Sequence, residues 1–240
     1  MSPVILLHGI GGPAWGPTLP ALAGREVLDW PLPGYGGSPA LPAMTFPALA
    51  AALRDALDAA GIDRADLVGH SIGGMLAQEF AASFPDRVAR LVLYATSSAF
   101  GARDPAFAET FVRQRLAPLE AGKGMAAVAR GVAEVAFGRD ADPGAAAAAT
   151  AAMTAVPEAT YRQTIQCLTT FDRRASLGAI AVPTLLIAGE LDQMAPLKGV
   201  TRMAEAIPGA RLTVIPGAGH MAHLEQPARF NAALLDFLES

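Results

Sequence analysis

The chain has 240 residues, 52% of them hydrophobic and 17% charged, with a formal net charge of −4 and a mean hydropathy of +0.34. That excludes a disordered tail and any global basic field toward nucleic acid or anionic membrane. The single cysteine, Cys167, excludes an intramolecular disulfide and a zinc site built on several cysteines. One domain or two fits the length. The first apolar run, Val4-Ile5-Leu6-Leu7, is too short for the apolar core of a signal peptide and lacks a basic flank. Residues 144–156, the longest weakly apolar stretch, fall short of the roughly 20 residues that span a bilayer. A soluble, cytoplasmic protein is the expectation.

In chain order, residues 4–7 read as a strand buried on both faces, and residues 25–30 as a weaker one. Thr45 is placed to cap a helix reaching Ala60, with Phe46, Leu49, Leu53 and Leu57 at helical spacing and Gly61 at the C′ position. Residues 66–68 form a short strand running into Gly69. Residues 72–84 read as helix, ended by Pro85, and residues 91–94 as strand. From about 100 to 178 the strand rhythm gives way to an alanine-rich helical stretch, in which Asp142-Pro143 reads as an N-cap followed by proline at N1. Strand patterns return at 184–188 and 212–215, each followed by a helical pattern, at 197–207 and 226–238. The alternation implies an α/β fold with a parallel sheet covered on both faces. The expected organisation is one core, residues 1–98 and 179–240, interrupted by a helical cap at 99–178. The net charge is +1 over 99–178 and −5 over the remainder; solvated helix faces account for this more simply than an anionic ligand.

Gly69-His70-Ser71-Ile72-Gly73 matches G-x-S-x-G between an expected strand and an expected helix. That is the setting of a nucleophile elbow, a strained turn that neighbouring side chains would crowd. Ile72 N–H then stands at a helix N-terminus, where it can face an oxyanion. A serine hydroxyl needs a base, and His8, His70, His220 and His223 are the candidates. His220 is preferred, because Pro216-Gly217-Ala218-Gly219-His220 follows the last strand and so lies at the carboxyl edge of the sheet. Asp192, in Gly189-Glu190-Leu191-Asp192, also follows a strand and is preferred over Glu190 as the acid that orients the imidazole. The order Ser71, Asp192, His220 is that of α/β-hydrolases. His8-Gly9-Ile10-Gly11-Gly12 follows the first strand without the Lys-Ser/Thr pair of a phosphate loop, and reads better as a source of a second oxyanion donor, Ile10 N–H. Gly9, Gly11 and Trp15 are candidates to line the substrate pocket.

The chain therefore resembles the α/β-hydrolase superfamily, on Leu7-His8-Gly9, the run from Asp29 to Ser38 (DWPLPGYGGS), Gly69-His70-Ser71-Ile72-Gly73-Gly74, Gly189-Glu190-Leu191-Asp192 and Gly219-His220. The resemblance implies Ser71 as nucleophile, His220 as base, Asp192 as acid, and Ile10 and Ile72 as oxyanion donors. Val182 to Glu190 (VPTLLIAGE) and His223-Leu224-Glu225-Gln226-Pro227 are similar to small lactone and ester hydrolases of the 3-oxoadipate enol-lactonase type. In that family two strands usually precede the one ending in His-Gly; here Val4 begins within three residues of the start, so six strands are expected. The implied activity is hydrolysis of a small-molecule ester or lactone through an acyl-enzyme, with no metal or organic cofactor and no nucleic-acid or membrane partner. A C–C bond hydrolase acting on a diketone and a non-catalytic binding protein on the same fold are the competing expectations, and the oligomeric state stays open.

Overall fold

A computed structural model describes residues 1–101, 104–138 and 141–240. Arg103, Arg139 and Asp140, three of the charges counted over 99–178, lie outside the described residues. β1 (Val4–Leu7) leads through a glycine-rich loop to β2 (Val27–Trp30). α1 (Phe46–Ala59) starts where Thr45 accepts the N–H of Ala48, and the chain turns away at Gly61, φ 68°. β3 (Ala65–His70) runs into α2 (Ile72–Ser83) with only Ser71 between, and β4 (Val88–Tyr94) follows.

The chain then leaves the sheet through β5 (Ala99–Phe100) and four helices, α3 (Pro105–Glu120), α4 (Gly124–Ala136), α5 (Pro143–Thr154) and α6 (Glu158–Leu168). Asp142 caps α5, accepting the N–H of Ala145 at 2.8 Å, and Pro143 occupies its first turn. The segment returns through β6 (Phe171–Asp172), which pairs antiparallel with β5. This two-residue ladder escapes sequence periodicity because no alternation can be read from two positions. A buried Glu79 on α2 pairs with Arg173 and ties the neck of the insertion to the core. β7 (Thr184–Gly189), α7 (Leu197–Ala206), β8 (Arg211–Ile215), the short α8 (Ala222–Glu225) and α9 (Pro227–Glu239) complete the chain.

The six long strands form one sheet in the order β2-β1-β3-β4-β7-β8, and every pairing in it is parallel. Alternate side chains of each strand enter different cores. Ile5, Leu7, Leu67, Leu91 and Leu186 face the side covered by α1, α2 and α7. Val4, Leu6, Val68, Val92 and Ile187 face α9. A strand buried on both faces has no polar side to display, which is why β1 reads as an unbroken apolar run. Each such side chain contributes about 1.5–3 kcal/mol on burial. Because all six strands point the same way, the loops after β1, β3, β7 and β8 emerge at one edge. Those loops carry Ile10, Ser71, Asp192 and His220.

Candidate active site

Ser71 sits between β3 and α2 with φ 54° and ψ −118°, a left-handed backbone that a side-chain-bearing residue adopts only under strain. The turn is held on both sides: Ser71 N–H donates to Tyr94 O at 2.9 Å, and Thr96 Oγ1 donates to Ser71 O at 2.7 Å. The glycines around it are required by space. A Cβ at Gly73 would lie 2.1 Å from Leu7 O, and one at Gly69 would lie 2.4 Å from Gly73 O. The first helical N–H groups to close onto Ser71 O are those of Gly74 and Met75. Ile72 N–H stands ahead of them at the helix N-terminus, an end that attracts negative charge.

Of the four histidines, His220 is, among the described residues, the one joined to a carboxylate: its Nδ1 lies 2.8 Å from Asp192 Oδ2, with both side chains almost fully buried. The other Asp192 oxygen accepts Met194 N–H at 2.8 Å and Ala195 N–H at 2.9 Å. Burial pushes the Asp192 carboxyl up, but the His220 hydrogen bond and charge, helped by the two amides, outweigh it and hold the carboxyl below its ordinary range. The acid is thus an anion, and its hydrogen bond directs the Nδ1 proton to itself. His220 Nε2 is left as an acceptor.

The remaining histidines are held in other hydrogen bonds. His8 Nδ1 donates to Gly9 O at 2.7 Å while its Nε2 accepts Leu32 N–H at 3.0 Å, and burial pushes it down to about 4. His70 Nε2 donates to His220 O at 3.0 Å; burial, with His220 and His223 beside it, holds it well below its ordinary value. His223 Nδ1 lies 3.1 Å from Tyr94 OH, and burial, then the charge of His220, pushes it down to about 3. Glu190, the rival acid, points away and accepts Gly217 N–H at 2.9 Å. Cys167 is buried, and burial pushes its thiol up to about 12, so it does not compete as a nucleophile.

Two small cavities meet at Ile10, Ser71, Met194 and His220. One, of about 50 Å³, extends past Gly9, Gly11 and Ala14 beneath α4 and α5, toward Val132, Ala136 and Met153. The other, of about 70 Å³, extends toward Phe100, Phe111, Arg115, Ile165 and Leu168. Ser71, His220, Ile10, Gly9 and Gly11 are therefore brought together, with Asp192 behind His220. Trp15 is a correction. It lines neither cavity among the described residues; its indole is buried in the core on the α9 side, with its ring 4.9 Å from that of His223 and 6.4 Å from that of Phe230. A large apolar ring so close to β1 and α9 gains more from that core than from a solvent-filled pocket.

Two contributors were not singled out by sequence reasoning, although both lie in stretches that carry the resemblance. Tyr35 OH lies 3.2 Å from Ile10 O and 3.0 Å from Thr164 Oγ1, so it ties the loop after β1 to α6. Glu225 accepts the N–H groups of Gly138, Gly219 and Met221. Each acts through a contact made only in the folded chain.

The family model for the alpha/beta hydrolase fold matches residues 2–227. The chain belongs to this family. A RutD protein of Pseudomonas savastanoi pv. phaseolicola, provisionally named a carbamate hydrolase, is 33% identical over 99% of this α/β-hydrolase and 93% of its own length. The pimeloyl-[acyl-carrier protein] methyl ester esterase of Aromatoleum aromaticum is 34% identical over 93% of each chain. Among solved structures, the enol-lactonase of Burkholderia xenovorans LB400 matches with a TM-score of 0.91 at 27% identity, covering 100% of this chain and 92% of that one. Relatives so alike in fold and so different in named substrate establish a hydrolase of the α/β fold. No helix among the described residues is long and apolar enough to cross a membrane.

Proposed function

We propose that this α/β-hydrolase cleaves a carboxylic ester or lactone of a small molecule through an acyl-enzyme, with Ser71 as nucleophile, His220 as general base and acid, and Asp192 as the group that orients and charge-stabilises His220. The observation that carries the reading is the 2.8 Å bond between His220 Nδ1 and Asp192 Oδ2, with His220 sharing a cavity wall with Ser71. As Ser71 Oγ bonds to the substrate carbonyl carbon, its proton passes to His220 Nε2 and the carbonyl oxygen takes up the negative charge. The N–H groups of Ile72 and Ile10 receive that oxyanion; losing one such donor typically costs about 2.7–4 kcal/mol of transition-state stabilisation. Collapse breaks the bond to the leaving oxygen, which takes the proton from His220. Water then gives a proton to His220 and attacks the acyl-enzyme. Ser71 leaves with that proton, and the carboxylic acid is released. Every proton in the cycle is carried by His220, so no cofactor is called for.

A carbamate offers the same carbonyl to the same groups, and the resemblance to the RutD proteins makes carbamates a necessary part of any substrate panel. The test is labelling and turnover. A fluorophosphonate should add to Ser71, and a p-nitrophenyl ester should be hydrolysed by the parent and not by Ser71→Ala. An unlabelled parent that turns over no ester, lactone or carbamate would leave a binding protein as the better account. Turnover confined to ring-cleavage diketones would make it a C–C bond hydrolase.

A further inference from the structure

We propose that His70 is a positioning residue for the reaction, holding the main chain of His220 against both the turn that carries Ser71 and the loop that carries Ile10. The inference rests on the hydrolase reading of Ser71 and adds a residue to it. The groups that must meet at the substrate carbonyl come from separate loops, after β1, β3 and β8. A bond inside one loop shapes that loop; a contact between loops sets the spacing of the groups they carry.

His70 touches all three. It closes β3 and immediately precedes Ser71, so its main chain is part of the nucleophile turn. Its Nε2 lies 3.0 Å from His220 O, and the two buried rings have their centres 4.9 Å apart. A carbonyl oxygen accepts and does not donate, so in the neutral ring the proton sits on Nε2 and Nδ1 is bare. That bare edge lies against the loop after β1: a Cβ built at Gly9 would come within 2.8 Å of His70 Nδ1 and 3.1 Å of its Cε1. Glycine at position 9 is what lets the ring approach so closely. Tyr94 on β4 backs the arrangement, its ring stacked on that of His70 at 4.7 Å and its hydroxyl 2.9 Å from the same His220 oxygen. The His220 main chain is therefore held from two sides. Its N–H goes to Ala136 O in the insertion, and its oxygen goes to the ring beside the nucleophile. Loss of the His70 donor would leave the bond between His220 and Asp192 in place and let the pair drift relative to Ser71.

His70 also borders the cavity under α4 and α5, so contact with substrate has to be separated from positioning. The experiment compares the parent with His70→Phe, which keeps a ring and loses the N–H, and with His70→Gln, whose side-chain amide restores a donor near the place of Nε2. The substrates are p-nitrophenyl acetate and p-nitrophenyl butyrate. In His70→Phe the expected result is a fall in kcat of about 10–100-fold, by the same factor on both esters, with KM within about threefold. His70→Gln should recover to within about fivefold of the parent. A folded His70→Phe with kcat within about twofold of the parent overturns the role, as does an equal loss in His70→Gln. A loss that falls on KM, or differs between the two esters, also overturns it and makes His70 a wall of the cavity. Nitrogen-15 NMR of the parent's histidine rings reads the contact without a variant: His70 should carry its proton on Nε2 at neutral pH, and a proton on Nδ1 overturns the proposal even where His70→Phe does not fold. A parent that hydrolyses both esters supports the hydrolase reading whatever the His70 variants do, so the two readings fail separately.

Discussion

The carboxylate of Glu225 accepts Gly219 N–H at 3.0 and 3.1 Å, and the same group takes Gly138 N–H at 2.6 Å from 87 residues away. It also takes Met221 N–H at 3.1 Å. The amide between them, His220 N–H, donates to Ala136 O at the end of α4 at 2.7 Å. The backbone that aims His220 is thus pinned jointly by one acid and by the end of a helix in the insertion. Glu225→Ala strands three amides and frees that backbone. We expect a stability loss of about 1–3 kcal/mol and a fall in kcat of about 10–100-fold from misplacement of the imidazole. Urea unfolding and steady-state kinetics check both. An unchanged kcat in the folded variant would show that the insertion and the loop hold their places without Glu225.

Asp192→Asn keeps an oxygen for Met194 and Ala195 N–H and removes the charge that selects the His220 tautomer. In the serine-protease triad the equivalent change lowers kcat about 10⁴-fold, and a fall of comparable order is expected here with little loss of folding. Glu190→Gln, which retains an acceptor for Gly217 N–H, should stay within twofold of the parent. Kinetics of the two variants side by side decide between the acids; a larger loss from Glu190→Gln would reverse their roles.

Gly73→Ala should fail to give folded protein, because the new Cβ would lie 2.1 Å from Leu7 O and 2.7 Å from His8 O, both main-chain atoms. Gly131 lies inside α4 with nothing within 4 Å of its built Cβ. Gly131→Ala should therefore stabilise by about 0.5–1 kcal/mol, the helix-interior gain of alanine over glycine. Circular dichroism and thermal unfolding test the pair.

Stability should fall as pH drops below about 6.5. His8 and His223 titrate near 4 and 3 in the folded chain, chiefly through burial, and near 6.5 when unfolded. Their folded values are depressed, so the unfolded chain binds more protons between those limits. Each contributes stability that is complete above 6.5 and declines by about 1.4 kcal/mol per unit below it. Asp192, held below its ordinary value, adds a loss only at pH below the normal carboxylate range. Urea midpoints at pH 7.5 and 5 should differ clearly, with less difference in a folded variant that lacks His8. Equal midpoints would count against neutral burial of these rings.

Local chemistry wrote much of the fold into the chain. The unbroken apolar run of β1, the Thr45 cap with Gly61 beyond α1, and Asp142-Pro143 at the start of α5 are readable because each depends on neighbours within a few residues. The same holds for the tight turn at Ser71, whose glycines are dictated by the adjoining strand and helix. Element ends were less legible: β3 and β4 both begin earlier than their apolar patterns, at Ala65 and Val88, because ladder bonds to a neighbouring strand extend them.

The sequence by itself determined the parallel α/β architecture, the serine on its turn and the short list of histidines and acids that emerge at one edge. Tertiary structure gave each of them its surroundings. His220 is joined to Asp192 across 28 residues, while burial above all keeps the other three rings neutral. Glu190 is turned to a loop amide, Trp15 lies in the core behind the site, and Arg115 lines an arm of the cavity. Which side chain meets which depends on where the sheet places residues far apart in the chain, and no spacing along the chain records that distance.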